Sequence, residues 1–133
     1  MYKNLIKRSF SMSRVTSVSG TNWETKAGCV RATKVGNHIW VSGTCAQGET
    51  VTIQTNAIFK VIQTSLEELG SGLGDVVITR MFAADVKKDF QELGQAHFDV
   101  FSPHGVKPCN TLVGAELLLD AFKVEIECEA IIS

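Results

Sequence analysis

The C-terminal part of the chain shows a strict alternation of polar and apolar residues. From residue 123 to 130 the sequence reads Lys-Val-Glu-Ile-Glu-Cys-Glu-Ala. Because successive side chains of a strand point to opposite faces, this pattern predicts an apolar face and a face bearing Glu125, Glu127 and Glu129. Carboxylates that share a face must be solvated, form ion pairs, or take part in binding or catalysis. The pattern therefore predicts a functional site or a subunit contact on this face.

The remaining hydrophobic patterns predict six further elements. Strands are predicted at 29–35 and 38–42, joined at Gly36-Asn37, a dipeptide that suits a tight hairpin turn. Apolar residues at helical spacing predict helices at 52–69 and 88–101. The second helix carries Phe90, Leu93, His97, Phe98 and Phe101 on one broad side, where His97 is predicted to be a core or interface residue rather than a base. Strands are also predicted at 75–85 and 109–116, and the alternating strand described above spans 123–132.

The order of these elements predicts the fold class. Two strands, a helix, a strand, a helix and two strands indicate an α+β domain with a mixed sheet and both helices packed on one face. The opposite face, which carries the glutamates of the last strand, is then left exposed in a single chain. Packing of another subunit against this face is the simplest way to bury it.

Length and charge limit the class of partner. A chain of 133 residues forms one domain with its own core. The first 23 residues contain four Lys/Arg and no acidic residue, which leaves nine Lys/Arg against fourteen Asp/Glu in the remainder. An acidic domain repels a phosphate backbone, so nucleic acid is not the expected partner. No apolar run approaches the ~20 residues that cross a bilayer, so no membrane partner is expected.

Residues 1–18 form a basic segment ahead of the predicted domain, which spans 19–133. Its first thirteen residues are free of acid and contain serine, as in a mitochondrial transit peptide, and Arg8-Ser9-Phe10 followed by Ser11 resembles a matrix-protease cleavage site. We therefore predict a mitochondrial matrix location. The alternatives are a flexible basic tail on a cytoplasmic protein, or upstream sequence ahead of a start at Met12.

The cysteine pattern favours free thiols. None of the four cysteines forms a Cys-x-x-Cys pair, and the three histidines do not stand at zinc-finger spacing from them. We expect no metal and no cofactor.

Several short motifs resemble the Rid family (YjgF, reactive intermediate deaminases). Such proteins typically read Pro-Ala-Arg-Ser/Thr, a Val-rich strand and then Val-Glu-Ile-Glu-Ala, and here Pro108-Cys109-Asn110-Thr111 precedes Val-Glu-Ile-Glu. The upstream motifs, in family order, are Gly-Cys-Val-Arg-Ala at 28–32, Val-Gly-Asn at 35–37, Trp-Val-Ser-Gly-Thr at 40–44 and Leu-Gly-Asp-Val-Val at 73–77. The resemblance covers Ser19 to the C-terminus. It implies a chorismate-mutase-like fold and a homotrimer with small-molecule clefts at the subunit junctions.

The resemblance also implies a set of site residues. In members that hydrolyse imines, the arginine of the Pro-Ala-Arg motif binds the substrate carboxylate, and a downstream glutamate positions the attacking water. Glu125 matches that catalytic glutamate, and Ser42 and Gly43 match a Ser-Gly pair that lines the cleft. The chain departs from the pattern at three positions. Asn110 replaces the arginine, Cys29 replaces a cleft tyrosine, and Gly94 stands where asparagine is common.

Loss of the arginine has the largest expected consequence. A guanidinium–carboxylate pair supplies two charge-assisted hydrogen bonds of roughly 1.5 to 3 kcal/mol each, whereas a neutral amide supplies about 1 kcal/mol. A loss of ~3 kcal/mol is on the order of a hundredfold in affinity. A substrate carboxylate would also be repelled by Glu125, with no cation expected nearby. We therefore expect weak or absent 2-imino-acid deaminase activity and a neutral or cationic ligand.

Two pairs of alternatives remain open from the sequence. Cys29 is either a reactive thiolate, helped by Arg31 on the same predicted strand face, or a small buried side chain. Glu125 is either catalytic or structural. The chain is accordingly interpreted as an enzyme that hydrolyses an imine or enamine C=N bond, or as a non-catalytic trimer that binds a metabolite or a protein.

Overall fold

The computed structural model describes residues 13–133, and the predicted cleavage site at 8–11 lies outside them. Nine regular elements follow one another in this part of the chain. They are β1 (Arg14–Ser17), α1 (Asn22–Ala27), β2 (Ala32–Val35), β3 (His38–Thr44), α2 (Val51–Glu68), β4 (Val76–Ala83), α3 (Val86–Phe101), β5 (Cys109–Gly114) and β6 (Val124–Ile131). Short 3-10 turns precede β4 and follow α3.

The strands form one six-stranded mixed sheet in the order β1-β2-β3-β6-β4-β5. Only the β4–β5 pair is parallel among these strands. Helices α2 and α3 contact each other and pack on the same face of the sheet. Their buried side chains, including Ile58, Ile62 and Leu93, form the core with the inner face of β6. The predicted α+β class and helix placement are confirmed.

The alternation of β6 is also confirmed. Val124, Ile126, Cys128 and Ala130 are at most 2% exposed and face the helices. The intervening glutamates are only half-buried, on the face of the sheet that no helix of the described residues covers. This face, with β6 near its centre, is called the open face below.

The sequence analysis missed β1 and α1. Strand β1 is an edge strand in which only Ser17 is buried, so it carries no apolar alternation. It lies ahead of Ser19, where the predicted domain began. A cut after Phe10 would leave β1 whole, whereas removal of residues 1–18 would take the strand away. Helix α1 is six residues long, and the residue it buries is the charged Glu24.

Helix α3 departs from its predicted apolar side. Leu93 and Phe101 are buried as expected, but Phe90 and Phe98 are 50% and 57% exposed. The sheet is therefore too narrow to cover the whole apolar stripe of α3. None of the helices within residues 13–133 is long and apolar enough to cross a membrane.

Candidate functional site

Glu125 lies on the open face against the backbone of β3. A Cβ atom built on Gly43 would be only 2.6 Å from Oε1 of Glu125. Real Cβ atoms essentially never come this close to another heavy atom, so only glycine leaves room for the carboxylate in this position. The structure therefore brings together Gly43 and Glu125, two of the predicted site residues.

A bulge in β3 creates this close approach. The register between β3 and β6 shifts between Val41 and Thr44, so that one extra residue lies on the β3 side. Ser42 stabilises the bulge on one side, because its Oγ donates a hydrogen bond of 2.7 Å to the carbonyl oxygen of Val30. Since that hydroxyl is engaged in the fold, Ser42 contributes the shape of the site rather than a reactive group.

Arg31 stabilises the bulge on the other side. Its guanidinium donates to the carbonyl oxygen of Gly43 at 3.2 Å and to Oγ1 of Thr44 at 3.1 Å. A cation therefore lies against the backbone of Gly43, the residue on which Glu125 packs. The sequence suggested Arg31 only as a neighbour of Cys29, because nothing local showed that its side chain reaches β3. Its Nε is buried, without a hydrogen-bond partner in the described chain, and 3.9 Å from Oε1 of Glu24.

Glu24 lies beside Nε of Arg31 and helps to fix the position of the guanidinium. Its carboxylate accepts hydrogen bonds from the Ser19 hydroxyl and from the amides of Ser19 and Gly20. The Ser19 hydroxyl bond is the largest influence on Glu24, and with the amide bonds and the Arg31 charge it lowers the pKa of this carboxyl despite burial. Glu24 is thus an anion at neutral pH, and it offsets part of the charge of Arg31.

The two other glutamates of β6 are committed to ion pairs. Glu129 accepts from Arg80 at 2.7 Å and contacts Nε2 of His38 at 3.0 Å, while Glu127 lies 3.4 Å from Arg80. The hydrogen bond from Arg80 is the main reason why the pKa of Glu129 is lowered. In contrast, no group among residues 13–133 hydrogen-bonds to the Glu125 carboxylate. Of the three glutamates, Glu125 is thus the one available to a water molecule or a ligand.

The cysteines near the site differ from the prediction. Strand β2 begins at Ala32, so Cys29 and Arg31 do not share a face of one regular strand, and the argument for a Cys29 thiolate loses its basis. Cys45, which was predicted only to be a free thiol and not a site residue, follows the bulge. Burial, reinforced by the negative charge of Glu125, raises the pKa of Cys45 to about 11 even though Arg31 acts in the opposite direction. Cys45 is therefore a neutral thiol at physiological pH.

Asn110 lies on the opposite face of the sheet from Glu125. Its Nδ2 donates a hydrogen bond of 2.9 Å to Oγ1 of Thr79, which is fully buried under the helices and also contacts Nε2 of His97 at 2.8 Å. Asn110 therefore belongs to the helix side, whereas Glu125 faces away from it. One chain does not bring the predicted cleft residues together.

Asn110 lines a cavity of about 510 Å³ between α3 and β5. Its walls are mainly apolar, and His97 and Gly94 also line it. Lys107 is the one charged residue in its lining. The predicted site residues thus fall into two separate groups, which are called the two half-sites below. The carboxylate half consists of Ser42, Gly43 and Glu125 with Arg31 behind them, and the amide half surrounds Asn110.

Neither half-site resembles a metal site. Among residues 13–133, no three His, Cys, Asp or Glu side chains are grouped so that they could hold an ion.

Comparison with known proteins identifies the family. The family model described as Endoribonuclease L-PSP matches residues 20–132, and the chain therefore belongs to this family, which is also called the YjgF or Rid family. The protein SCO2049 of Streptomyces coelicolor is 31% identical over 121 residues, which covers 84% of this chain and 87% of that protein. A RutC family protein of Aquifex aeolicus is 39% identical over 79 residues, covering 59% of this chain and 62% of its own.

Solved structures agree with this assignment. The crystal structure of Rv2704 from Mycobacterium tuberculosis, a member of the YjgF/YER057c/UK114 family, has a TM-score of 0.85 and 30% sequence identity, and the match covers 90% of this chain and 100% of that chain. The YjgF-family protein NMB1025 from Neisseria meningitidis, at 24% identity and a TM-score of 0.78, covers 92% of this chain and 97% of its own and supports the fold.

Replacing Gly43 with alanine is expected to move Glu125 without unfolding the domain. The new methyl group would occupy the place of Oε1, and the flexible end of the glutamate can swing away, whereas the backbone need not move. Crystal structures and melting temperatures of Gly43→Ala would check this. Gly72→Ala is the matched control, because no heavy atom lies within 4 Å of the position of its new Cβ. A Glu125 side chain that keeps its position in Gly43→Ala would contradict this account of the bulge.

Proposed function

We propose that the protein is a homotrimeric hydrolase of neutral imines or enamines, whose clefts form where the carboxylate half of one subunit meets the amide half of the next. The observation that carries this proposal is the Glu125 carboxylate, which lies against Gly43 with no hydrogen-bond partner among residues 13–133, while Glu127 and Glu129 are paired. The open face, which the helices leave uncovered, supports the trimer that the family resemblance implies.

In the proposed reaction Glu125 acts as the general base and then as the general acid. An enamine first tautomerises to the imine. Glu125 takes a proton from water as the water oxygen bonds to the C=N carbon, and the π electron pair moves to nitrogen, which takes a proton from solvent to give the carbinolamine. The Glu125 carboxylic acid then protonates the nitrogen of the carbinolamine, the C–N bond breaks, and ammonia leaves as the hydroxyl releases its proton to solvent to give a carbonyl product. Atoms and electrons balance without a cofactor.

The nature of the amide half supports a neutral substrate. Asn110 carries no charge, and the cavity around it is largely apolar, with Lys107 as the one charged residue in its lining. Arg31 does lie in the carboxylate half, but its guanidinium is engaged by Gly43 and Thr44 and faces Glu24. It is therefore poorly placed to replace a carboxylate-binding arginine.

The test uses two substrates that differ only in charge. Ammonia release is measured for 2-aminoacrylate and for its carboxamide, 2-aminoacrylamide, both generated in situ. We expect the carboxamide to be hydrolysed with the higher kcat/KM. Faster hydrolysis of the carboxylate would contradict the proposed substrate class, and hydrolysis of neither above the spontaneous rate would contradict the proposed activity.

A non-catalytic trimer that binds a metabolite is the second candidate function. The apolar cavity beside Asn110 favours it, because that cavity is large enough for a small molecule and contains no ionised catalytic acid. RNA cleavage, which the name of the family model suggests, has less support. His38 contacts Glu129 on the open face and His97 contacts Thr79 on the helix side, so these two histidines do not form an acid–base pair.

A further inference from the structure

A hydrogen-bond network of three polar side chains, Asn110, Thr79 and His97, ends at the cavity between α3 and β5. Nδ2 of Asn110 lies 2.9 Å from Oγ1 of Thr79, and the same oxygen lies 2.8 Å from Nε2 of His97. Thr79 is 0% exposed, and no other side-chain hydrogen bond to its hydroxyl occurs in residues 13–133. Because Asn110 and His97 both line the cavity, this network connects the buried hydroxyl of Thr79 to the polar part of the cavity wall.

The single hydroxyl proton of Thr79 determines which groups of this network donate and which accept. A threonine hydroxyl donates one hydrogen bond and accepts others. When Nε2 of His97 lacks a proton, Thr79 donates to it and accepts from Nδ2 of Asn110. The carbonyl oxygen of Asn110 is then left for a ligand. When Nε2 carries a proton, His97 donates to Thr79, and the Thr79 proton, which has no other side-chain acceptor in residues 13–133, is released to bond the carbonyl oxygen of Asn110. The amide turns to make this bond, which leaves its NH2 group for a ligand.

We propose that His97 is a positioning residue that sets, through Thr79, whether Asn110 offers an acceptor or a donor to the ligand. At neutral pH the cavity accordingly prefers an uncharged, largely apolar ligand with an N–H or O–H donor, and in acid it prefers a ligand with an acceptor. This inference rests on the proposed function for the presence of a ligand beside Asn110, and it deepens that function by naming the ligand's chemistry.

The surroundings of His97 favour the neutral imidazole. From α2 the ring meets Phe59 at a centroid distance of 6.1 Å, and within α3 it meets Phe101 at 4.7 Å. From β4 it meets Thr79, and β5 contributes Asn110 through that hydroxyl. Lys107, ahead of β5, is the one charged residue of the cavity lining. Burial lowers the pKa of His97.

The test compares two uncharged probes of similar size on the full-length protein. Indole has an N–H donor and no strong acceptor, whereas 1-indanone has a carbonyl acceptor and no donor. Neither has a hydrolysable C=N bond, so the result is independent of turnover. NMR titrations give both Kd values at a series of pH values, and the Thr79→Val variant, which keeps the shape but lacks the hydroxyl, gives the reference ratio.

At neutral pH we expect the wild type to favour indole over 1-indanone by about three- to tenfold relative to Thr79→Val, the effect of one neutral hydrogen bond. The preference should reverse as the pH falls through the titration of His97. The His97→Phe variant, which keeps the aromatic contacts, should show no such pH dependence. The ¹⁵N shifts of wild-type His97 should place its proton on Nδ1 at neutral pH.

Three results would overturn the inference. They are a wild-type preference that does not change with pH, a neutral imidazole with its proton on Nε2, and failure of both probes to bind saturably. If Thr79→Val does not fold, the wild-type pH series and His97→Phe still decide the question. Hydrolysis of 2-aminoacrylamide by a protein that fails these tests would refute the inference alone and leave the proposed function standing.

Discussion

Glu125→Gln is expected to lower the turnover of 2-aminoacrylamide by about a hundredfold or more while the protein stays folded, because general acid–base groups contribute on the order of 10² to 10⁴ in rate. Glutamine keeps the size of the side chain, so its fit against Gly43 is preserved. It cannot take a proton from water. Since the carboxylate has no hydrogen-bond partner in residues 13–133, its removal breaks no ion pair, and KM and the melting temperature should change little.

Glu127→Gln is the matched control for Glu125→Gln. Both residues lie on the open face of β6, but Glu127 is paired with Arg80. We expect Glu127→Gln to keep its turnover and to lose some stability instead. Measurements of kcat, KM and melting temperature on both variants separate a catalytic from a structural carboxylate. The hydrolytic role of Glu125 would be refuted if Glu125→Gln kept full turnover, whatever its stability.

Asn110→Arg is expected to raise kcat/KM for 2-aminoacrylate by up to about a hundredfold, the value of one charge-assisted pair of ~3 kcal/mol. The arginine would restore the cation that the family resemblance implies for substrate carboxylates. Asn110 is exposed at the cavity, so the longer side chain has room. The change also removes the hydrogen bond from Asn110 to Thr79, whereas the contact between Thr79 and His97 is kept.

The matched control is Asn110→Met, which adds similar bulk without charge. It should not help 2-aminoacrylate, and neither variant should improve the hydrolysis of 2-aminoacrylamide. Kinetics of the three proteins on the two substrates check this expectation. An arginine variant no better on 2-aminoacrylate than the methionine variant would show that Asn110 does not face the substrate carboxylate.

The sequence predicted the parts of the fold that local patterns determine. The alternation in β6 is visible residue by residue, and the stripe of α2 around Ile58 and Ile62 follows the helical period. Strand β1 was missed because an edge strand with one buried residue has no such pattern. Helix α1 did have a signal that went unused, since Thr21 and Glu24 form the start of a capping box and Gly28, at φ 70°, ends the helix.

The candidate site was predictable only in part. The pairing of Gly43 with Glu125 followed from the family motifs, and the structure shows its physical reason in the bulge of β3. The role of Arg31 depends on a side chain that reaches across strands, and no spacing along the chain reveals such a contact. The placement of Asn110 depends on the register between β4 and β5, which sets the face on which its side chain lies.

Mixed trimers test most directly whether the two half-sites meet between subunits. Glu125→Gln subunits lack the base, and Asn110→Trp subunits have the amide half plugged by an indole ring. Each variant alone should be inactive on 2-aminoacrylamide. When the two are refolded together in equal amounts, a shared cleft restores about a quarter of the wild-type turnover, because that fraction of subunit junctions has both halves intact. Mixed trimers with no recovered turnover would contradict the shared cleft.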